Sequence, residues 1–353
     1  MWEAIRADSA FPAYRRLAED NLNALAVCSR YLNRMPRYIQ PSMLGQMRAE
    51  CGLNEEEAYR WLMAAACGIN GDERESDRRL ERLYFPKGVQ CLSESAYRSN
   101  AYSRLIRMPK VRRGNWEMDV RHIDPYEAIV CDDLLQLPDG REIPQIGYFR
   151  ERFETPVVYQ HGREWMTVTP SEQNTMRRDA AAVSGRVVVF GLGLGYFALL
   201  CSEKESVQSV TVVELDADVI ALFTEWILPQ FPHAKKITLV QADAFSYAET
   251  MPQDAFDFAY VDIWHDVLDG VNMYLRMKRL EHHSLGTKFL YWIEPSMLAW
   301  LRGMALMEAA EGIKGPMLQT IGEYRNAQEL KVKITDAALR AVAARIPLEV
   351  TQR

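Results

Sequence analysis

Three glycines at alternate positions, Gly191, Gly193 and Gly195, follow a short apolar run and precede a predicted helix. Glycine is typical of places where the backbone takes positive φ or approaches a ligand closely. A helix that begins behind such a turn offers N–H groups that have no partner within the helix. The segment therefore indicates a ligand-binding loop.

Acidic residues follow the next predicted strands along the chain. Glu214 ends the second strand, Asp243 lies just past the third, and Asp262 lies at the end of the fourth. Ligands of open α/β sheets bind at the carboxyl ends of the strands, so these acids are expected near the glycine loop. A carboxylate at Glu214 can accept both hydroxyls of a ribose. Asp243 can accept an adenine amino group, although a helix N-cap is an alternative role for it.

The spacing of the loop argues against phosphate-binding motifs. A G-x-G-x-x-G fingerprint would need glycine at position 196, where the chain has Tyr196. The G-K-[ST] of a P-loop is also missing. A nucleoside without phosphates is therefore favoured over a pyrophosphate ligand.

The elements that must position these residues alternate between strand and helix from residue 186 onward. Strands are predicted at 187–190, 210–213, 237–240, 256–261 and 288–293, with helices at 196–202, 217–228, 268–282 and 296–310. This alternation predicts the α/β class, with a Rossmann-like, doubly wound and mostly parallel sheet.

Three consecutive segments are expected along the chain. Residues 1–110 are predicted to form a helical N-terminal domain, with one helix beginning at Asn54. Residues 111–170 contain recurrent turn residues and predict a small β-rich connecting region with a hairpin around Gly162. Residues 171–353 are assigned to the α/β domain, whose first helix is predicted to have Ser171 as its cap.

These motifs resemble a known family. The run from Val187 to Gly195, with Glu214, Asp243 and Asp262, looks like the motifs of class I S-adenosylmethionine-dependent methyltransferases. Residues 212–220 are similar to the spermidine synthase-like subgroup, and the resemblance extends over residues 155–310.

The resemblance implies S-adenosylmethionine as the cofactor and assigns the binding residues. By position, the three glycines would flank its methionine part, Glu214 would bind the ribose hydroxyls, Asp243 would bind the adenine amine, and Ala244 would offer backbone contacts.

The candidate catalytic residues are Asp262 and His265. The resemblance implies that Asp262 faces the transferred group, and a histidine that titrates near neutral pH could remove a proton from an acceptor. Trp264 and Asp266 are the candidate acceptor-binding residues. The alternatives are a turn role for Asp262, a surface position for His265 and simple packing for Trp264.

Two departures from the subgroup bear on the reaction. Aminopropyltransferases typically have a Tyr-His pair where this chain reads Pro170-Ser171-Glu172-Gln173-Asn174. They also have an Asp-Ser-Ser-Asp-like segment where this chain reads Asp262-Ile263-Trp264-His265-Asp266. The polyamine contacts are not reproduced, which favours methyl transfer by direct displacement to an unidentified acceptor. An aminopropyltransferase-like enzyme is one alternative, and a non-catalytic S-adenosylmethionine-binding module with a nucleic-acid-contacting N-terminal region is another.

Composition and charge restrict the class of protein and the kinds of partner that are possible. The 353 residues carry a net charge of -6 and 48% hydrophobic residues, which is typical of globular proteins. The charge is uneven, because residues 1–115 hold 19 basic and 14 acidic side chains. Residues 95–116 contain basic and aromatic side chains and no acid, a pattern that suits nucleic acid but also suits pairing with acidic residues elsewhere in the chain.

The remaining features predict a cytoplasmic protein without a metal site. The six cysteines form no C-x-x-C pair, and no set of His, Cys, Asp and Glu has metal-ligand spacing. The first ten residues show no signal-peptide pattern, and no apolar run is long enough to span a membrane.

Overall fold

The structure, a computed structural model, describes Ser9, residues 11–284 and residues 286–311. Their contacts divide them into two units, each discontinuous in sequence. The first unit comprises the described residues up to Leu92, Asp124–Arg150 and those from Pro295 onward, and the second comprises Ser93–Ile123 and Glu151–Glu294. The first eight residues and residues 312–353, which the sequence assigned to the helical and α/β domains, lie outside the described residues.

The first unit combines helices with a small sheet. Its elements are α1 (Phe11–Arg34), α2 (Pro41–Cys51), α3 (Glu55–Ala66), α4 (Glu75–Arg79), a π-helical turn (Leu80–Tyr84), α5 (Phe85–Gly88), β1 (Val89–Cys91), β4 (Ile129–Gln136) and β5 (Glu142–Tyr148). The sheet has the order β1-β5-β4, with β1 parallel to β5 and β4 antiparallel to it.

Aromatic residues form the centre of the first unit. Tyr59 of α3 and Tyr148 of β5 are both fully buried, and their rings stack with centroids 4.1 Å apart. The predicted helix start at Asn54 is confirmed as a capping box. The Asn54 side chain accepts a hydrogen bond from the Glu57 N–H at 3.0 Å, and the Glu57 carboxylate accepts one from the Asn54 N–H at 2.8 Å.

The second unit contains two sheets. Its first part comprises α6 (Glu94–Arg98), α7 (Ala101–Leu105), β2 (Val111–Arg113), β3 (Trp116–Ile123), β6 (Phe153–Gln160), β7 (Arg163–Thr167) and α8 (Pro170–Ala182). Its second part comprises β8 (Gly185–Phe190), α9 (Tyr196–Ser202), β9 (Val207–Glu214), α10 (Ala217–Leu222), β10 (Ile237–Gln241), α11 (Ala244–Thr250), β11 (Phe258–Val261), α12 (Val267–Leu280) and β12 (Lys288–Tyr291). A final helix, α13 (Glu294–Glu311), begins at the last residue of this unit and continues in the first.

The predicted α/β fold class is confirmed by the larger sheet. Its five strands have the order β10-β9-β8-β11-β12, and every neighbouring pair is parallel. The central strand β8 is apolar from Val187 to Phe190 and buried there, as expected for a strand covered on both faces. The predicted hairpin is also confirmed, since β6 and β7 pair in the antiparallel sheet β2-β3-β6-β7.

The observed units differ from the three consecutive segments that the sequence predicted. The cause is long-range strand pairing, because β4 and β5 join β1 of the helical unit. The strands on either side of them along the chain, β3 and β6, pair with each other instead. The β-rich region is therefore shared between the two units.

The cap of α8 was predicted wrongly at Ser171. Thr169 is the N-cap, and its side chain accepts from the Glu172 N–H at 3.5 Å. Pro170 occupies the first helical position, where its missing N–H costs nothing. Because proline takes that position, the cap lies before it and Glu172 falls in the first turn.

No helix in the described part of the chain is long and apolar enough to cross a membrane.

Candidate functional site

The glycine loop and two of the predicted acids lie together at the carboxyl edge of the parallel sheet. Backbone bonds extend the strand ladder beyond the strands themselves. The Gly191 N–H donates to the Val213 carbonyl at 2.9 Å, and the Asp262 N–H donates to the Phe190 carbonyl at 2.9 Å. Since β9 and β11 flank β8, this ladder places Glu214 and Asp262 on either side of Gly191.

The three loop glycines all have positive φ, and each is required by close packing within the unit. A Cβ on Gly191 would lie 1.9 Å from the backbone oxygen of Asp262. A Cβ on Gly193 would lie 2.1 Å from Met166 Sδ, which also accepts a hydrogen bond from the Leu194 N–H at 3.2 Å. Gly195 is the N-cap of α9 and lies against a phenylalanine ring. The loop is therefore shaped by its own neighbours before any ligand binds.

Gly191→Ala is expected to destabilise the protein more than Gly193→Ala. Both substitutions place a side chain at positive φ, but at Gly191 the neighbour is backbone fixed by the strand ladder. At Gly193 the neighbour is the end of a flexible methionine. We expect a loss of roughly 3 kcal/mol or more for Gly191→Ala and about 1–2 kcal/mol for Gly193→Ala, measured by urea unfolding. Equal losses would show that the Asp262 backbone moves as easily as the Met166 side chain.

The Glu214 carboxylate is held by backbone N–H groups on both sides. Its Oε2 accepts from the Leu192 N–H of the glycine loop at 3.1 Å, and its Oε1 accepts from the Asp216 N–H at 2.9 Å. An ionised carboxylate can accept about four hydrogen bonds. The two backbone bonds therefore fix the carboxylate and leave it capacity for the two hydroxyls of a ribose.

Asp243 is an N-cap in the structure. It precedes α11, and its Oδ1 accepts from the Ser246 N–H at 2.9 Å and from the Ser246 hydroxyl at 3.0 Å. Capping uses Oδ1, so binding an adenine amine through the other oxygen stays a prediction. Ala244 is the first residue of α11 and is buried, and its backbone contacts with a ligand also stay a prediction.

A serine at position 243 separates the two roles of Asp243. Serine caps helices about as well as aspartate, but its hydroxyl is too short to serve both the cap and a ligand. Asp243→Ser is expected to change the unfolding free energy by less than about 0.5 kcal/mol, whereas Asp243→Ala should lose about 1 kcal/mol. If the adenine assignment is right, calorimetry should show weaker S-adenosylmethionine binding in both variants. Full affinity in Asp243→Ser would restrict this residue to capping.

Asp262 and Glu172 form a pair of interacting acids in the second unit. Asp262 follows β11, and burial raises the pKa of its carboxyl to about 7. Glu172 lies in the first turn of α8, and burial followed by repulsion from Asp262 raises the pKa of its carboxyl well above its usual value. Two like charges in a poorly hydrated place disfavour double ionisation, so at least one proton remains on the pair near neutral pH.

Sequence reasoning did not identify Glu172 as a functional candidate. An acid in the first turn of a helix is common, because it favours the positive end of the helix dipole. The sequence contains no signal that this particular side chain turns inward, and only the position of α8 shows it.

The pair predicts a pH dependence of stability. A carboxyl whose pKa is raised on folding binds more protons in the folded state, so its contribution to stability falls as pH rises from about 4 to about 7. Asp262→Asn should remove this pH dependence. Between pH 5 and pH 8, the unfolding free energy of the variant should therefore rise by roughly 1–3 kcal/mol relative to that of the wild type. The measurement is urea unfolding at both pH values, with the exposed Asp72→Asn as the control. Parallel pH profiles of the wild type and Asp262→Asn would contradict the raised pKa.

An open cleft of about 470 Å³ lies beside His265, between the β6–β7 hairpin and the segment after β11. The His265 ring meets the Trp165 ring edge-on with centroids 4.6 Å apart, and Trp165 meets Trp116 in the same way at 5.8 Å. The Trp116 Nε1 donates to Asp216 at 2.9 Å, two residues beyond Glu214. A row of rings therefore links the loop after β11 to the loop after β9.

The geometry of His265 fixes which nitrogen can take a proton. Its Nε2 lies 3.1 Å from the Glu164 carbonyl oxygen. A carbonyl oxygen only accepts hydrogen bonds, so Nε2 carries the hydrogen in that contact. In the neutral ring, Nδ1 is then the nitrogen free to accept a proton, which agrees with the predicted role of His265 and does not test it.

The two predicted acceptor-binding residues are already engaged within the protein. Trp264 is buried and stacks on Tyr291 with centroids 6.5 Å apart, and its Nε1 makes no hydrogen bond to the described residues. Asp266 lines the cleft and also caps α12 through a capping box with Asp269. Roles in acceptor binding stay predictions for both, and Trp165 is a further aromatic candidate that the sequence did not indicate.

Part of the basic segment 95–116 is paired with acids of its own unit. Lys110 pairs with Asp119 at 2.6 Å, and Arg113 pairs with Asp218 at 3.1 Å. These contacts agree with the alternative in which the segment neutralises acidic residues of the chain. Contact with nucleic acid stays a prediction.

Comparisons with known proteins give only distant likenesses. No family model and no curated protein matches the sequence. Among solved structures, the spermidine synthase of Thermotoga maritima matches 44% of this chain and 59% of its own, at 15% identity and a TM-score of 0.31. A spermidine synthase bound to the transition-state analogue AdoDATO matches 44% and 60%, at 16% identity and a TM-score of 0.33. The YcgJ protein of Bacillus subtilis matches 33% and 47%, at 22% identity and a TM-score of 0.25.

The matches are partial on both sides. This chain spans about three fifths of the length of the two spermidine synthases. The stronger observation is internal, namely the strand order β10-β9-β8-β11-β12 with a glycine loop after the central strand. By that order and that loop, the second unit contains a Rossmann-like α/β fold with a parallel sheet.

Proposed function

We propose that the protein is an S-adenosylmethionine-dependent methyltransferase that acts by direct displacement on an acceptor still to be identified. One observation carries the proposal: the Glu214 carboxylate is anchored to the glycine loop by the Leu192 N–H, at the carboxyl edge of a parallel sheet. This arrangement suits a nucleoside whose ribose hydroxyls face the acid and whose remaining part lies along the loop.

The residues present fit S-adenosylmethionine as the group bound there. Glu214 has hydrogen-bonding capacity beyond its two backbone bonds, and Asp243 uses only Oδ1 for its cap. The loop presents backbone rather than side chains, because its three glycines have no Cβ. When bound, the cofactor supplies an electrophilic methyl group on a sulfonium.

The protein's part in the reaction is to align the acceptor, to exclude water and to accept a proton from the acceptor where it carries one. Asp262 follows β11 beside the loop, and its pKa of about 7 suits a general base that works near neutral pH. His265 offers Nδ1 at the edge of the cleft while its Nε2 is held by the Glu164 carbonyl. A base is needed only if the acceptor atom carries a proton, and Asp262 is the group that we assign to that task.

Glu214→Ala tests the cofactor site directly. Loss of the ribose contacts should weaken S-adenosylmethionine binding by roughly 1–3 kcal/mol, measured by calorimetric titration. Glu205→Ala is the matched control, because Glu205 is exposed just before the other end of β9. Equal affinity of the wild type and Glu214→Ala would remove the ribose assignment.

Transfer of a labelled methyl group separates the remaining alternatives. The appearance of the labelled methyl group in an acceptor would support the proposal that the protein is a methyltransferase. Tighter binding of methylthioadenosine than of S-adenosylmethionine would favour aminopropyl transfer. Tight binding without turnover on a broad acceptor panel, combined with salt-sensitive affinity for nucleic acid, would favour a binding module.

A further inference from the structure

The glycine loop is held from outside the parallel sheet by a buried tyrosine. Tyr102 of α7 is fully buried, and its hydroxyl donates a hydrogen bond to the Leu194 carbonyl oxygen at 2.8 Å. The Tyr102 ring also lies against the ring of Tyr196, the first residue of α9, with centroids 5.5 Å apart. Helix α7 therefore contacts the turn between β8 and α9, although Tyr102 and Leu194 are 92 residues apart in sequence.

The N–H side of Leu194 is held by a second element, the strand β7. Met166 Sδ accepts a hydrogen bond from the Leu194 N–H at 3.2 Å, and it lies 2.1 Å from the position that a Cβ on Gly193 would take. A thioether sulfur is a weak acceptor, so this bond alone would restrain the loop little. Together with the Tyr102 bond, it engages both backbone polar groups of Leu194 with side chains from outside the five-stranded sheet.

The position of Tyr102 is itself fixed by contacts with α8. The Asn100 side chain caps α7 by accepting from the Ser103 N–H at 2.9 Å, and its Nδ2 donates to Gln173 Oε1 at 2.8 Å. One residue further along α8, Asn174 Nδ2 donates to the Tyr97 hydroxyl at 2.9 Å. These bonds tie the start of α7 to α8, so the Tyr102 hydroxyl reaches Leu194 from a fixed helix.

Leu194 needs such restraints because glycines flank it. Gly193 and Gly195 have φ values of +50° and +74°, in the left-handed region. Glycine changes its backbone conformation at little steric cost, so the two peptide groups next to Leu194 could otherwise rotate. A loop that already has its binding conformation loses less conformational entropy when a ligand binds, and it therefore binds that ligand more tightly.

We propose that Tyr102 and Met166 are positioning residues, which hold the peptide groups on either side of Leu194 in the conformation that receives the amino-acid part of S-adenosylmethionine. Their role rests on the proposed function. Glu214, the proposed partner of the ribose, contacts the loop at Leu192 instead, two residues earlier. Loss of either restraint should therefore weaken the binding of a ligand with the amino-acid part more than that of a nucleoside without it.

The tyrosine is tested by calorimetric titration of full-length Tyr102→Phe with S-adenosylmethionine and with methylthioadenosine, which lacks the amino-acid part. We expect the dissociation constant of S-adenosylmethionine to rise about five- to tenfold, the effect of one lost hydrogen bond. That of methylthioadenosine should change by less than about twofold, because its contacts lie at Glu214. Tyr59→Phe is the matched control and should change neither constant. Tyr59 is also fully buried, and its hydroxyl donates to the Tyr126 carbonyl at 3.0 Å in the first unit.

The methionine is tested in the same titrations with Met166→Leu, which keeps an apolar side chain of similar size and removes the sulfur acceptor. The dissociation constant of S-adenosylmethionine should rise about two- to threefold, less than in Tyr102→Phe, because sulfur is the weaker partner. Met118→Leu is the control, because Met118 is buried in β3 of the same antiparallel sheet. Full affinity in Met166→Leu would overturn the role of the methionine and leave that of Tyr102.

Hydrogen exchange tests the restraint without any ligand. Amide exchange of a proteolytic fragment that spans Gly191 to Gly195 is followed by mass spectrometry after labelling of the intact full-length protein. We expect exchange in this fragment to be at least about fivefold faster in Tyr102→Phe and in Met166→Leu than in the wild type, and unchanged in Tyr59→Phe. Equal exchange in all four proteins would overturn the claim that these two side chains hold the loop.

The outcomes distinguish the positioning role from the proposed function. A purely structural role of Tyr102 would lower the number of binding sites per molecule or weaken both ligands equally. Either result in Tyr102→Phe, or unchanged binding of both ligands, would overturn the positioning role and leave the methyltransferase proposal standing. If neither ligand binds to the wild type, the proposed function and the positioning role fail together, and hydrogen exchange alone decides whether the two side chains hold the loop.

Discussion

The close approach of the Asp262 backbone to Gly191 is the contact on which the site depends. The Asp262 N–H bonds to the Phe190 carbonyl, and the Asp262 carbonyl lies where a Cβ of Gly191 would be. A larger residue at 191 would push the segment after β11 away from the loop after β8. The same loop binds Glu214 through the Leu192 N–H, so the positions of both acids follow from one tight junction.

The acids around this junction are in two different electrostatic situations. Glu214 has an N–H donor on each carboxylate oxygen, and these two hydrogen bonds hold the orientation of the carboxylate. Burial instead raises the pKa of the Asp262 carboxyl, and burial followed by repulsion from Asp262 raises the pKa of the Glu172 carboxyl. One edge of the sheet thus holds a carboxylate oriented by backbone N–H groups and an aspartate whose pKa is raised by burial. Carboxyls whose pKa is raised by burial are common at functional sites.

Much of this arrangement could be predicted from the sequence because its signals are local. A strand buried on both faces is a continuous apolar run, as at Val187 to Phe190, and a positive-φ loop after it shows as glycines. Glu172 could not be predicted, because its burial depends on how α8 lies against the sheet. The division into units also depends on non-local pairing, since β5 joins β1 across more than fifty intervening residues. The cap at Thr169 was missed although its signal was local, because Pro170 fixes the first helical position and moves the cap before it.

The most direct test of the account is a calorimetric titration of the wild-type protein with S-adenosylmethionine and with NAD. A site formed by Glu214 and a glycine loop that lacks the phosphate-binding motifs should bind S-adenosylmethionine with micromolar affinity, on the order of -8 kcal/mol. It should bind NAD far more weakly. Tight binding of NAD with none of S-adenosylmethionine would contradict the account at its centre, because the loop would then be a pyrophosphate site.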